Sequence, residues 1–144
     1  MFKELERIEA GNGTDLARQL HTLSERLPRR SLLVLVSDLW TEPDELRKAL
    51  QHLRYRKHQA IVIHLLDKAE TELTYEGQIT LEDLETGEKL QIDPADLRET
   101  YTKQVADYLQ RVRKACSDSD VEYHDLYVDQ SYEKSLVRLL TRRR

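Results

Sequence analysis

Disulfides, a membrane span and a strong field of one sign are all missing from this chain of 144 residues. Cys116 is its one cysteine, which excludes an internal disulfide and fits a reducing, cytoplasmic setting. The longest apolar run falls far short of the ~20 residues that cross a bilayer. The opening residues, Met1 to Arg7, are too charged for a secretory signal. Lys and Arg number 23 against 27 Asp and Glu, interspersed, so the net charge of −4 offers no field to gather DNA or an anionic membrane. Only 4 glycines and 3 prolines are present, and no linker, repeat or low-complexity segment interrupts what reads as one domain. No nucleophile–base pair, Gly-rich phosphate loop or metal-ligand cluster of sensible spacing occurs. Gly11 and Gly13 follow a predicted helix, whereas a dinucleotide fingerprint follows a strand. Composition and motif thus argue against an enzyme.

What is present is an alternation of strand and helix. Residues 31–36, with Leu32, Leu33, Val34, Leu35 and Val36 in succession, read as a strand apolar at every position. That is the pattern of a strand buried on both faces of a parallel sheet. Ahead of it, residues 2–9 predict a short helix. Thr14 then caps a second helix carrying Leu16, Ala17, Leu20, Leu23 and Leu27 and ending at Pro28. Pro43 opens another, with Leu46, Ala49, Leu50 and Leu53 on one face. Residues 60–66 form the next buried run, which completes a βαβ unit. Residues 78–84 and 88–92 alternate around Glu85-Thr86-Gly87, as an antiparallel hairpin does. Asp93-Pro94 starts a long helix to about residue 117, striped with Leu97, Tyr101, Val105, Tyr108, Leu109, Val112 and Cys116. Residues 121–128 predict a third parallel strand, and Ser131 caps a last helix with Leu136, Val137 and Leu140. The expected fold is α/β: three layers, a mostly parallel sheet flanked by helices, with an antiparallel hairpin insertion.

Each parallel strand ends in a carboxylate, Asp38, Asp67 or Asp129, and ligands of open α/β sheets bind at that edge. Asp67 and Asp129 are expected to cap the loop or helix after each strand; Asp38, after the most apolar strand, is the candidate for a site. Trp40 is open to two readings, a contact anchor for a partner or a lid folded over the strand end. His64 is expected to face a helix from within its strand, and Cys116 to fill the core. His21, His52 and His58 read as surface or helix-face residues, and Arg142–Arg144 as a solvated tail.

Gly13-Thr14-Asp15-Leu16, Pro28-Arg29-Arg30-Ser31-Leu32 and the strand into Ser37-Asp38 resemble the domain of unknown function 58 family. So do residues 83–88, Asp93-Pro94 with Tyr101, and Leu139-Leu140, in the family's order and spacing from about residue 11 onward. The resemblance implies a von Willebrand factor A or Rossmann-like fold, commonly partnered by a MoxR-type AAA+ ATPase. It also implies a metal-ion-dependent adhesion site, in which Thr14 matches the threonine and Asp38 the aspartate, with Mg²⁺ in a complete family domain. No Asp-x-Ser-x-Ser, the site's primary loop, occurs in these residues. The chain is therefore expected to be a single partial domain over 1–144, with the N-terminal strands missing and no cofactor expected for this chain alone.

The leading functional expectation is a non-catalytic protein-binding scaffold that meets its partner through Ser37 and Trp40. A second is a homodimer formed through strand 31–36, with Leu32, Val34 and Val36 at the interface, because the strand has lost a neighbour. The alternatives are a Mg²⁺-dependent hydrolase or nuclease using the strand-end carboxylates, and an oligomerising remnant without a ligand.

Overall fold

The structure, a computed structural model, describes residues 16–75, 77, 79–82, 89–92 and 94–129. In chain order the elements are α1 (Leu16–Arg26), β1 (Leu32–Ser37), α2 (Pro43–Tyr55), β2 (Gln59–Leu66) and α3 (Lys68–Glu72). They continue with β3 (Ile79–Glu82), β4 (Lys89–Ile92), α4 (Pro94–Asp118) and β5 (Glu122–Tyr127). The main sheet is parallel with strand order β1-β2-β5, and β3 pairs antiparallel with β4, Ile79 opposite Ile92. The α/β class, the helix-flanked parallel sheet and the hairpin agree with the sequence pattern. The expected helices at 2–9 and after Ser131, and the Thr14 cap, lie outside the described residues.

Local chemistry sets the element ends. Pro43 occupies the first turn of α2, where its missing N–H costs nothing, and Asp44 and Glu45 meet the positive end of the helix dipole. At the other end Lys57 turns left-handed (φ 64°), and the His58 amide donates back to the Leu53 carbonyl at 3.0 Å. The same closure ends α4: Asp120 is left-handed (φ 52°), and the Val121 amide reaches the Cys116 carbonyl at 3.0 Å. Both are the six-to-one closure that redirects a chain sharply out of a helix, here into β2 and β5. An ion pair between Arg54 and Asp120 joins the two turns.

The core forms where α1, α2 and α4 meet one face of the sheet. Leu46, Leu50, Leu53, Val62, Val112 and Cys116 are fully enclosed there, with Leu33, Leu35 and Tyr123 packed against them. A Leu moved from water into such a site contributes about 1.5–3 kcal/mol. Cys116 is core filler, as expected. Its thiol is pushed up to about 11 by burial.

Three expectations need correction. β1 is not buried on both faces: its burial alternates, with Leu33 and Leu35 inward while Leu32, Val34 and Val36 are 48%, 48% and 54% exposed. The strand enclosed on both faces is β2, whose Ile61 and Ile63 are buried opposite Ala60 and Val62. The difference is position, since β2 lies between two strands and β1, among the described residues, pairs with β2 alone. His58 is buried rather than superficial, because the helix-ending turn aims it inward, where Nε2 donates to the Ser24 carbonyl at 3.3 Å. Leu97 and Leu23, expected on buried stripes, are exposed.

Candidate functional site at the strand ends

Residues 37–41 leave the end of β1 as a tightly held loop. Leu39 adopts a left-handed backbone (φ 54°), unusual for a branched-chain residue, and is wholly buried. Holding such a conformation costs about 1–3 kcal/mol and persists only where the surroundings over-determine it. They do so here. The Leu39 amide donates to Ser37 Oγ at 3.0 Å, and Ser37 Oγ donates to Asp38 Oδ1 at 3.3 Å. From α4, the Tyr108 hydroxyl donates to the Leu39 carbonyl and, at 3.1 Å, shares its proton with the Thr41 carbonyl.

From β2, His64 fastens the same loop. A carbonyl can only accept, so Nε2, 2.9 Å from the Asp38 carbonyl, carries the proton. Nδ1 is then the acceptor, and the Tyr123 hydroxyl of β5 donates to it at 2.8 Å. Burial holds the His64 imidazole below its ordinary pKa, offset in part by its bond to the Asp38 carbonyl and by the Asp125 and Asp38 carboxylates. Burial likewise raises the Tyr123 phenol, with Asp125 adding to the effect. The chain Asp38 carbonyl–His64–Tyr123 is therefore neutral, fully partnered and spans all three parallel strands.

The consequence is seen at Trp40. Leu39 takes the core position, so Trp40 is turned outward and is 81% exposed. Of the two readings open in the sequence, the lid is excluded; Leu39 is the residue that covers the strand end. Beside Trp40 lies a mainly apolar cleft of about 260 Å³, lined by residues that include Leu65, Tyr101, Val105 and Leu109, with Asp38 and Asp67 at its polar margin.

The strand-end aspartates play separate parts. Asp67 caps α3, accepting from the Ala69 amide at 2.7 Å, as expected. Asp38 and Asp129 carry exposed side chains. The three do not bring ligand atoms together within 4.8 Å; among the described residues the one trio of His, Cys, Asp or Glu that does is His21, Glu25 and His52. Thr14 lies outside the described residues. Asp38, with Ser37 as its oxygen neighbour, supplies too few ligands for a hard divalent cation, which takes six or more oxygens. The described residues alone do not make up the implied Mg²⁺ site. The roles of Leu39, His64, Tyr108 and Tyr123 in holding the loop were not visible in the sequence, where His64 and Tyr108 read as facing the core and Leu39 and Tyr123 carried no signal.

The uncharacterized protein Rv1480 of Mycobacterium tuberculosis is 28% identical over 137 residues, covering 94% of this chain and 42% of its own length. The chain thus spans about two-fifths of that relative. The uncharacterized protein MAV169 of Mycobacterium avium is 29% identical over 140 residues, covering 96% of this chain and 81% of its own. A similar fold occurs in the crystal structure of the conserved hypothetical protein BatB from Bacteroides thetaiotaomicron. The TM-score is 0.52 at 14% identity, over 96% of this chain and 65% of that one. The family described as "Protein of unknown function DUF58" matches residues 1–111, and the chain belongs to that family.

Proposed function

We propose that this protein is a non-catalytic protein-binding scaffold that presents Trp40, on the Ser37–Thr41 loop, to a protein partner. One observation carries this reading: an exposed tryptophan stands on a loop held from β2 and α4, beside an apolar cleft. Interface hot spots are enriched in tryptophan, and a loop already held in place loses little entropy on binding. A MoxR-type AAA+ ATPase is the partner that the family resemblance supplies, and a cytoplasmic location suits it. No helix among the described residues is long and apolar enough to cross a membrane. A hydrolase built on Asp38, Asp67 and Asp129 is disfavoured, since their carboxylates do not converge and Asp67 is engaged as a cap.

The test is calorimetric titration of the full chain with a MoxR-type ATPase from the same organism, followed in parallel by Trp40 fluorescence. Trp40→Ala should weaken binding by about thirtyfold, corresponding to a 2 kcal/mol hot spot. Equal affinity for the wild type and Trp40→Ala would remove the loop from the interface. Mg²⁺-dependent phosphoesterase activity lost in Asp38→Ala would overturn the non-catalytic reading.

A second reading rests on β1. Leu32, Val34 and Val36 form an exposed apolar row on a strand that, among the described residues, has one unpaired side. A groove of about 600 Å³ runs alongside, between Leu16, Leu20 and Leu23 of α1 and Leu33 and Leu35 of β1. An edge of this kind is a template for another strand. The occupant proposed is a second copy, paired through β1 across a two-fold axis. Light scattering at tens of micromolar should find a dimer that Val34→Lys converts to monomer. A wild-type monomer at that concentration would sink it.

A further inference from the structure

The trio His21, Glu25 and His52 lies apart from the strand-end loop, on the outer surface where α1 meets α2. His21 and Glu25 stand four residues apart on α1, which places them on one helix face. His52 reaches them from the last turn of α2. The two imidazoles are stacked with centroids 4.0 Å apart and planes 13° from parallel. His52 Nε2 is 3.0 Å from Glu25 Oε1, and one ligand atom from each of the three residues lies within 4.8 Å of the others. We propose that these residues form a zinc site that clips α1 to α2.

The donor set specifies the metal. Two imidazoles and one carboxylate suit Zn²⁺, whereas Mg²⁺ and Ca²⁺ take oxygen ligands. Zinc holds such ligands at about 2.0–2.2 Å, so tetrahedral donors sit about 3.4 Å from one another. The trio's ligand atoms, within 4.8 Å of one another, lie close to that spacing. All three side chains are reachable from solvent, His52 at 26% and Glu25 at 47% exposure. Three protein ligands leave the fourth position to water or to an incoming donor.

The carboxylate is already prepared for the role. Its hydrogen bond to His52 holds Oε1 of Glu25 beside the imidazole it would share the metal with. Arg56 pairs with Glu25 Oε2 at 3.2 Å, on the oxygen that His52 does not use. It can stay there while Oε1 turns to the metal, an outer partner of the kind that orients ligating carboxylates. The stacked rings have a separate use in the absence of metal, as a polar link between helices. Zinc would replace that link with coordinate bonds.

Zinc titration of the full chain by calorimetry, with Co²⁺ as a spectroscopic substitute, tests the assignment. The expected result is one ion per chain with a dissociation constant tighter than about 10 µM, and the visible absorption of a low-coordinate Co²⁺ centre. His21→Ala and His52→Ala should each weaken zinc by about a hundredfold, and Arg56→Ala by about tenfold. His124→Ala, which disrupts a separate His–carboxylate pair, His124 with Glu122, should leave affinity unchanged. His21 is exposed, so its variant keeps the test valid should His52→Ala misfold; circular dichroism checks both. Absence of stoichiometric binding would overturn the site. So would wild-type affinity in His21→Ala.

Discussion

His64, in the middle strand, donates from Nε2 to the main-chain carbonyl of Asp38 at 2.9 Å, so the loop after one strand is fixed by a side chain of the next. The opposite ring nitrogen accepts from Tyr123, which makes the imidazole a neutral bridge between strands. Its protonation is opposed first by burial.

That opposition has a sign in the pH dependence of stability. His64 is held below its ordinary 6.5 in the folded chain, whereas the unfolded chain protonates near that value. Below it the unfolded state binds more protons, so stability falls as pH falls. The loss begins near pH 6.5 and levels off once His64 itself protonates in the native protein. Urea midpoints between pH 7.5 and 5 should decline, and His64→Leu should flatten that slope. The same variant leaves the Asp38 carbonyl without its side-chain donor and the Tyr123 proton without the His64 acceptor, and should cost about 2–3 kcal/mol at pH 7.5.

Tyr108→Phe removes the hydroxyl shared by the Leu39 and Thr41 carbonyls. We expect a loss of about 1–2 kcal/mol. Faster local motion of Trp40, read as lower steady-state anisotropy at unchanged secondary structure, should accompany it. Unaltered anisotropy would mean that Tyr108 contributes packing alone.

The left-handed turn that ends α2 offers a stabilising change. A side chain costs about 1–2 kcal/mol in that conformation, and Lys57 is exposed with φ 64°. Lys57→Gly, net of the extra freedom glycine gives the unfolded chain, should gain about 0.5–1 kcal/mol in urea denaturation. Asp120→Gly should gain less, since aspartate tolerates the conformation better and this one also pairs with Arg54.

Cys116 should resist alkylation in the native state. It is fully buried, and its thiol sits at about 11, so little thiolate exists at neutral pH. Its labelling rate in urea should track the unfolding transition, with no fast phase in buffer.

The alternation of strands and helices was legible because each carried its own local signal. Pro43 marks a helix start, residues 60–66 read as a buried run, and Asp67 announces a cap. The short helix α3 behind that cap went unread because it buries no residue and so has no stripe. The inward turn of His58 was hidden because periodicity says nothing of the residue just past a helix end. At the strand-end loop, Trp40 could be marked as either lid or anchor, and what decides between them is the backbone of Leu39. A positive φ on a leucine leaves no trace in composition. The trio of His21, Glu25 and His52 was not legible, since His21 and His52 read as surface or helix-face residues and Glu25 carried no signal of its own. His52 lies 27 residues from its carboxylate partner, and only the packing of α2 on α1 unites them.

The clean division of β1 into an inward pair and an outward row makes this sheet extensible. An incoming segment could pair with the side of β1 that is unpaired among the described residues and cover Leu32, Val34 and Val36, which lie on the face opposite Leu33 and Leu35. Growth at this margin is thereby decoupled from folding. A neighbour of the kind proposed for β1 would meet only the outward row and leave the inward pair in its present packing.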